Sequence, residues 1–183
     1  MIERYDIGRA ISLLGEGGVL AYPTESVFGL GCDPRQLNAV RRILALKGRP
    51  RQKGLILIAS NKQQALPWIE REKELEMTRS SWPGPVTWVF SASVQTPELL
   101  CQSDHSIAIR VTDHPVAKAL CETFGSALVS TSANPADLPP ARDTVTLDSY
   151  FDGRLDALLI GELGQRQQPS EIRDARTGKV LRP

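Results

Sequence analysis

Leu55-Ile56-Leu57-Ile58-Ala59 is an unbroken apolar run between Gly54 and Ser60. A strand with one wet face alternates polar and apolar residues, so an all-apolar run reads as a strand buried on both faces. Just upstream, Leu37, Val40, Ile43 and Leu44 recur at helical spacing, and that helix stops at Gly48 and Pro50. Further upstream, Ile7, Ala10, Ile11 and Leu14 predict a helix ended by Gly15, Gly17 and Gly18. Val19 to Tyr22 reads as a short buried strand broken by Pro23. In Val27-Phe28-Gly29-Leu30-Gly31 large and minimal side chains alternate, which predicts close backbone approach or unusual dihedrals.

Downstream, Asn61 can cap a short helix that meets Pro67, and the charged residues 70 to 80 predict an exposed helix. Ser81-Trp82-Pro83-Gly84-Pro85-Val86-Thr87 is a rigid turn leading into a strand, Thr87 to Phe90. Ile107 to Val111 is a further strand, apolar except for Arg110. Asp113 is placed to cap a helix that begins near Pro115 and ends at Gly125. A strand from Ala127 to Val129 ends in Ser130-Thr131-Ser132-Ala133-Asn134-Pro135. Asp143 or Thr144 caps a helix toward Phe151, Ala157 to Ile160 is an apolar strand, and Ser170 to Arg182 reads as two strands around Thr177-Gly178. Helices and strands alternate early and the end is hairpin-like, which predicts an α/β fold with a mixed sheet. No repeat, low-complexity segment or linker divides the chain, so residues 1–183 are expected to form a single domain.

The remaining composition excludes several classes of function. Three cysteines (Cys32, Cys101, Cys121) are odd in number and far apart, which argues against a disulfide framework and fits a reducing compartment. His105 and His114 have no partners at ligand spacing, so no side-chain metal site is expected. No apolar run reaches 18 residues and the N-terminus lacks signal-peptide layout, so the expected location is the cytoplasm, with no membrane partner. The glycine-rich nucleotide motifs and the Gly-x-Ser-x-Gly elbow are missing.

The charge distribution is more informative than the total. There are 22 basic and 21 acidic residues, net +1, yet Arg41, Arg42, Lys47, Arg49, Arg51 and Lys53 fall within 13 residues that contain no acid. A local excess on a neutral background points to a focused anion site, with a solvated loop as the alternative. Thr24 and Ser26 follow one predicted strand end, and Ser130, Ser132 and Asn134 follow another. Ligands gather at the carboxyl ends of strands in open α/β sheets, although such residues also populate ordinary turns.

Five blocks in register add a more specific indication. They are Tyr22-Pro-Thr-Glu-Ser-Val-Phe-Gly-Leu-Gly31, Lys47-Gly-Arg-Pro50, Ser81-Trp-Pro-Gly-Pro-Val-Thr87, Ser130-Thr-Ser-Ala-Asn134 and Pro169-Ser-Glu-Ile-Arg-Asp174. Together they resemble the YrdC/TsaC family of threonylcarbamoyl-AMP synthases, in the short single-domain form. The resemblance implies a twisted mixed sheet, parallel and antiparallel, with flanking helices and a concave basic cavity. It implies an adenylyltransferase that makes threonylcarbamoyl-adenylate and pyrophosphate from L-threonine, bicarbonate and ATP. The adenylate would supply the tRNA threonylcarbamoyl-transfer machinery, for modification next to the anticodon. Magnesium would arrive with ATP, and no tightly bound prosthetic group is implied.

By the same resemblance Lys47, Arg49 and Lys53 would face the phosphates. Arg41, Arg42 and Arg51 are assigned to the solvated face. Ser26 and Arg110 would contact threonine, with Arg110 on its carboxylate and Thr24 in the same wall. Ser106, Ser130 and Ser132 would line the ATP or threonine subsites, with Asn134 supporting their loop. Ser170 would reach the threonine side and Arg182 the nucleotide. The competing reading is a non-catalytic module that binds tRNA or another structured RNA through the same cations; direct tRNA contact is left open.

Overall fold

A computed structural model describes residues 1–48 and 54–183. The strands are β1 (Arg4–Tyr5), β2 (Leu20–Pro23), β3 (Phe28–Gly31), β4 (Ile56–Ala59), β5 (Val86–Ser91), β6 (Ser106–Val111), β7 (Leu128–Ser132), β8 (Ala157–Leu159), β9 (Glu171–Asp174) and β10 (Val180–Arg182). The helices are α1 (Ile7–Gly15), α2 (Leu37–Lys47), α3 (Pro115–Phe124) and α4 (Thr144–Phe151). The expected α/β class and mixed sheet pairing are therefore present. No helix among the described residues is long and apolar enough to cross a membrane. The chain divides into two compact units, each made of two chain segments.

The first unit comprises Met1–Pro50 and Leu128–Pro169. β8 pairs in parallel with β1 on one side and β2 on the other, while β3 pairs antiparallel with both β2 and β7. Asp6 caps α1 by accepting from the Arg9 N–H, and Asp143 caps α4 by accepting from the Thr146 N–H. α1 and α4 supply Ala10, Leu14, Leu147 and Phe151 to the core, all fully buried. Arg42 was assigned to the solvated face. It is exposed there and forms a two-pronged ion pair with Asp156, at 2.8 and 3.0 Å, and Asp156 also accepts from the Val19 N–H.

Two sequence boundaries move in this unit. Pro23 does not break the strand; it is the last residue of β2, paired with Phe28. The hairpin between β2 and β3 is closed by Thr24, whose N–H and hydroxyl both donate to the Val27 carbonyl. β7 also runs on through Ser132, so its three polar residues sit on the strand rather than beyond it. β1 has no counterpart in the sequence reading. It is only two residues long and exists because β8 is there to pair with it.

The alternation in β3 is explained by space. A Cβ on Gly31 would lie 2.6 Å from the Tyr22 ring and 2.7 Å from the Val129 carbonyl oxygen. The Tyr22 hydroxyl donates to that same carbonyl at 3.4 Å. The missing side chain leaves room for the ring of the buried Tyr22 beside β3.

The second unit comprises Arg51–Ala127 and Ser170–Pro183. Its strand order is β4-β6-β5-β9-β10. The β4–β6 and β5–β9 pairs are parallel, and the β6–β5 and β9–β10 pairs are antiparallel. The apolar run that opened the sequence reading is β4, whose Leu57, Ile58 and Ala59 are fully buried. α3 is capped by His114 rather than Asp113: its Nδ1 accepts from the Ala117 N–H. Residues 72–78 form a 3₁₀ run instead of an exposed helix, because Glu74 and Leu75 are buried. The Glu74 carboxylate accepts from the Ser91 N–H and hydroxyl at the end of β5.

The end of β9 is tied down by charge. The Arg176 guanidinium bonds both oxygens of Asp174 and one oxygen of Asp104. Arg176 holds the Asp174 carboxyl below its ordinary value. The Ser106 hydroxyl, and after it Arg176, do the same for Asp104. Both carboxyls titrate lower in the folded chain than in the unfolded one. Their contribution is complete above the ordinary carboxylate range and is lost as pH falls through it toward the folded values.

Two expectations follow from these contacts. Gly31→Ala should lower the urea midpoint, corresponding to about 1–3 kcal/mol of overpacking. Arg176→Leu should raise the Asp174 titration midpoint, followed by carboxyl NMR, and make acid unfolding begin at higher pH; an unmoved titration would remove Arg176 as the cause.

Candidate functional site

The chemistry-bearing residues form one group in each unit. In the first unit the group is built on the β2–β3 turn, β7 and the end of α2. The main-chain N–H of Gly48 closes α2 on the Ala45 carbonyl, and the left-handed backbone there turns the chain away. Lys47, the last helical residue, is only 5% exposed. Its ammonium donates to the Ser132 carbonyl at 2.5 Å, the Asn134 carbonyl at 2.9 Å and the Asn134 Oδ1 at 3.1 Å. Its own carbonyl accepts from the Ala136 N–H at 2.7 Å.

Asn134 is the centre of this loop. Its Oδ1 also accepts from the Ser132 hydroxyl at 2.6 Å, while its amide nitrogen donates to the Pro135 and Leu138 carbonyls. Lys47 is thus brought into direct contact with Ser132 and Asn134, which lie more than 80 residues further along the chain. Lys47 was expected to face phosphate; the contacts seen here are with the loop. Ser26 and Ser130 are buried, and neither hydroxyl bonds another described residue. Thr24 spends its hydroxyl on closing the turn. Arg49 and Lys53, expected beside Lys47, and Arg51, assigned to the solvated face, lie outside the described residues.

In the second unit the group is built on β5, β6, β9 and β10. Arg110, on β6, pairs in register with Ile58 of β4. Trp88 of β5 pairs with Ile109, so Thr87 and Arg110 each lie one residue beyond that pair. The Thr87 and Ser170 hydroxyls are 2.9 Å apart and share a hydrogen bond. The Ser170 carbonyl accepts from the Arg182 guanidinium at 2.7 Å. Arg182 is held below its ordinary value, first by partial desolvation of its guanidinium and then by the charge of Arg110. Two guanidiniums within electrostatic reach of each other favour an anion between them.

Ser106 does not join that group. It sits at the opposite end of β6 from Arg110, about 13 Å along the strand. Its hydroxyl donates to Asp104 at 2.5 Å, which ties it to the Arg176 cluster. Thr87 was read from sequence only as the start of a strand. Its hydroxyl is fully buried, and the one sequence clue was its place at the end of the Trp-Pro-Gly-Pro block.

A family model described as "Telomere recombination" (Sua5_yciO_yrdC) matches residues 12–183. The chain belongs to the Sua5/YciO/YrdC family. It is 50% identical over 179 residues to a threonylcarbamoyl-AMP synthase of Cellvibrio japonicus, covering 97% of this chain and 95% of that one. Another of Halorhodospira halophila is 49% identical over 180 residues, covering 97% and 94%. Among solved structures, P. abyssi Sua5 complexed with L-threonine superposes with a TM-score of 0.89 at 29% identity. That match covers 99% of this chain but 56% of the Sua5 chain, so this chain spans a little over half of that relative. E. coli YciO gives a TM-score of 0.84 at 26% identity, covering 98% and 92%.

Lys47→Met keeps the aliphatic stem but removes the donors. Hydrogen bonds from a charged group contribute about 1.5–3 kcal/mol each. The Ala136 amide should therefore exchange with solvent at least tenfold faster in this family member's variant, measured by hydrogen exchange. An unchanged rate would show that the loop holds itself.

Proposed function

We infer that the protein is a threonylcarbamoyl-AMP synthase, an adenylyl-transferring enzyme of tRNA modification. The observation that carries this is the 50% identity to the Cellvibrio japonicus synthase along nearly the whole of both chains. It favours an enzyme over a non-catalytic RNA-binding module.

The substrates would be L-threonine, bicarbonate and ATP. Threonine's amine adds to bicarbonate with loss of water, giving a carbamate. A carbamate oxygen then attacks the α-phosphorus, forming the mixed anhydride as the bond to pyrophosphate breaks. Nucleophile and phosphate are both anionic, so the main task is to offset their repulsion and hold them in line.

Each group of residues suits one part of that task. Arg110 would take threonine's carboxylate, because a guanidinium binds a carboxylate in two-pronged fashion. Ser26 and Ser130, buried with hydroxyls that bond no described residue, would hydrogen-bond substrate. Ser170, paired with Thr87, would present a hydroxyl of fixed direction on the threonine side, and Arg182 would approach the nucleotide. Lys47 would add positive charge while ordering the loop that carries Ser132 and Asn134. Arg49 and Lys53 would supply further phosphate contacts.

Magnesium would enter with ATP. Among the described residues no group of three or more His, Cys, Asp or Glu could hold a metal ion, so triphosphate oxygens and water are the fitting ligands. The adenylate would pass to the tRNA threonylcarbamoyl-transfer machinery in the cytoplasm.

The purified protein should release pyrophosphate from ATP only when both threonine and bicarbonate are present. Release that ignores either one would sink the reading. Arg110→Ala should cut turnover at least tenfold at an intact fold, a loss of about 1.4 kcal/mol or more in transition-state stabilisation.

A further inference from the structure

The irregular segment before β9 makes contacts that the function above does not use. The Gly164 N–H donates to the Thr24 carbonyl at 2.9 Å, and the Arg166 N–H donates to the Glu25 carbonyl at 3.0 Å. These two bonds fasten residues 164–166 along the turn that carries Ser26. Gly164 is not in the left-handed backbone region. It is required by space alone: a Cβ there would lie 2.5 Å from the Glu25 carbonyl oxygen, 2.7 Å from its Cα and 2.8 Å from its carbonyl carbon. All three are main-chain atoms, so no flexible side chain could swing aside.

The far end of the segment is tied as well. The Arg142 guanidinium donates to the Arg166 and Gln167 carbonyls at 3.4 and 3.5 Å. Its neighbour Ala141 is fully buried; its N–H donates to the Ala133 carbonyl and its carbonyl accepts from the Phe28 N–H, both at 2.9 Å. One continuous set of hydrogen bonds therefore runs from the Thr24–Ser26 turn, through residues 164–167 and Arg142, to Ala133 beside Ser132 and Asn134.

We propose that residues 164–167 are a strap that positions the Thr24–Ser26 turn for threonine, with Gly164 and Arg142 as positioning residues. The proposal rests on the reading that this turn faces threonine. The strap's two hydrogen bonds to the turn run between main-chain atoms, so it sets where the turn lies without contributing a group to the chemistry. Loosening it displaces the threonine-facing hydroxyl and leaves the nucleotide contacts in place.

The test is steady-state pyrophosphate release with each substrate varied in turn, beside hydrogen exchange at the Thr24 and Arg166 amides. Gly164→Ala should raise the threonine KM at least tenfold, leave the ATP KM within twofold, and speed both amides at least tenfold. Arg142→Ala should raise the threonine KM several-fold, and Arg142→Lys should restore it to within twofold. A folded Gly164→Ala protein with a wild-type threonine KM overturns the strap. If that variant does not fold, a wild-type threonine KM in Arg142→Ala does so instead. Ser26→Ala, in the same assay, separates the two ideas: if it is silent while Gly164→Ala is not, the strap stands and the Ser26 contact falls. If the wild-type chain shows no threonine-dependent release, the functional reading fails, and unchanged exchange in Gly164→Ala would independently overturn the strap.

Discussion

The Lys47 ammonium is the constraint on which the first unit's functional group depends. A buried cation loses its hydration and must recover it from protein dipoles. Among the described residues, two carbonyls and one amide oxygen from Ser132 and Asn134 contribute to this. Those oxygens can converge only if the chain after β7 turns sharply back toward the end of α2. The Asn134 side chain makes that turn rigid by bonding forward to Pro135 and Leu138. A helix end, a strand end and a loop are thus fixed by one amine. The Ser132 hydroxyl is aimed as a by-product, since it donates to the oxygen that also receives Lys47.

The two functional groups differ in chemistry. The first unit offers hydroxyls and oriented dipoles around one lysine; the second offers two guanidiniums and a paired Thr87–Ser170 hydroxyl. Dipoles and hydroxyls hold neutral and weakly charged atoms in place, whereas guanidiniums bind carboxylate and phosphate. Neither group needs a strongly shifted acid or base, because positioning and charge compensation are the main requirements of phosphoryl chemistry.

What was legible in the sequence was what is local. β4 could be read because five apolar residues in a row need no partner to be recognised, and α4 because Asp143 sits at its start. Asn134 was placed in a supporting role by the family blocks, and its hydrogen bonds match that role. What was not legible depends on distant partners. Pro23 stays in its strand because Phe28 pairs with it, and residues 72–78 tighten because Glu74 is drawn to Ser91. Arg42 is surface charge as read, but its partner Asp156 is remote in sequence and could not be named. The family resemblance places Ser106 with Ser130 and Ser132 along the substrate subsites; its hydroxyl bonds Asp104, a contact two residues away that the resemblance does not include. His114 displaced Asp113 as a cap because a ring nitrogen can accept as a carboxylate does.

The division of each unit into two chain segments has a consequence for synthesis. A ribosome delivers the β2–β3 hairpin early, but β7 and β8, which flank it, belong to a segment that emerges only after most of the second unit. The second unit then waits in its turn for β9 and β10, which follow β8 in the chain. Neither sheet can close in the order of translation. The nascent chain therefore carries unpaired strand edges until β7 to β10 have all emerged, which favours slow, late folding and exposes those edges to association with other chains. The chaperone demand of this small protein should be set by that delay more than by its size.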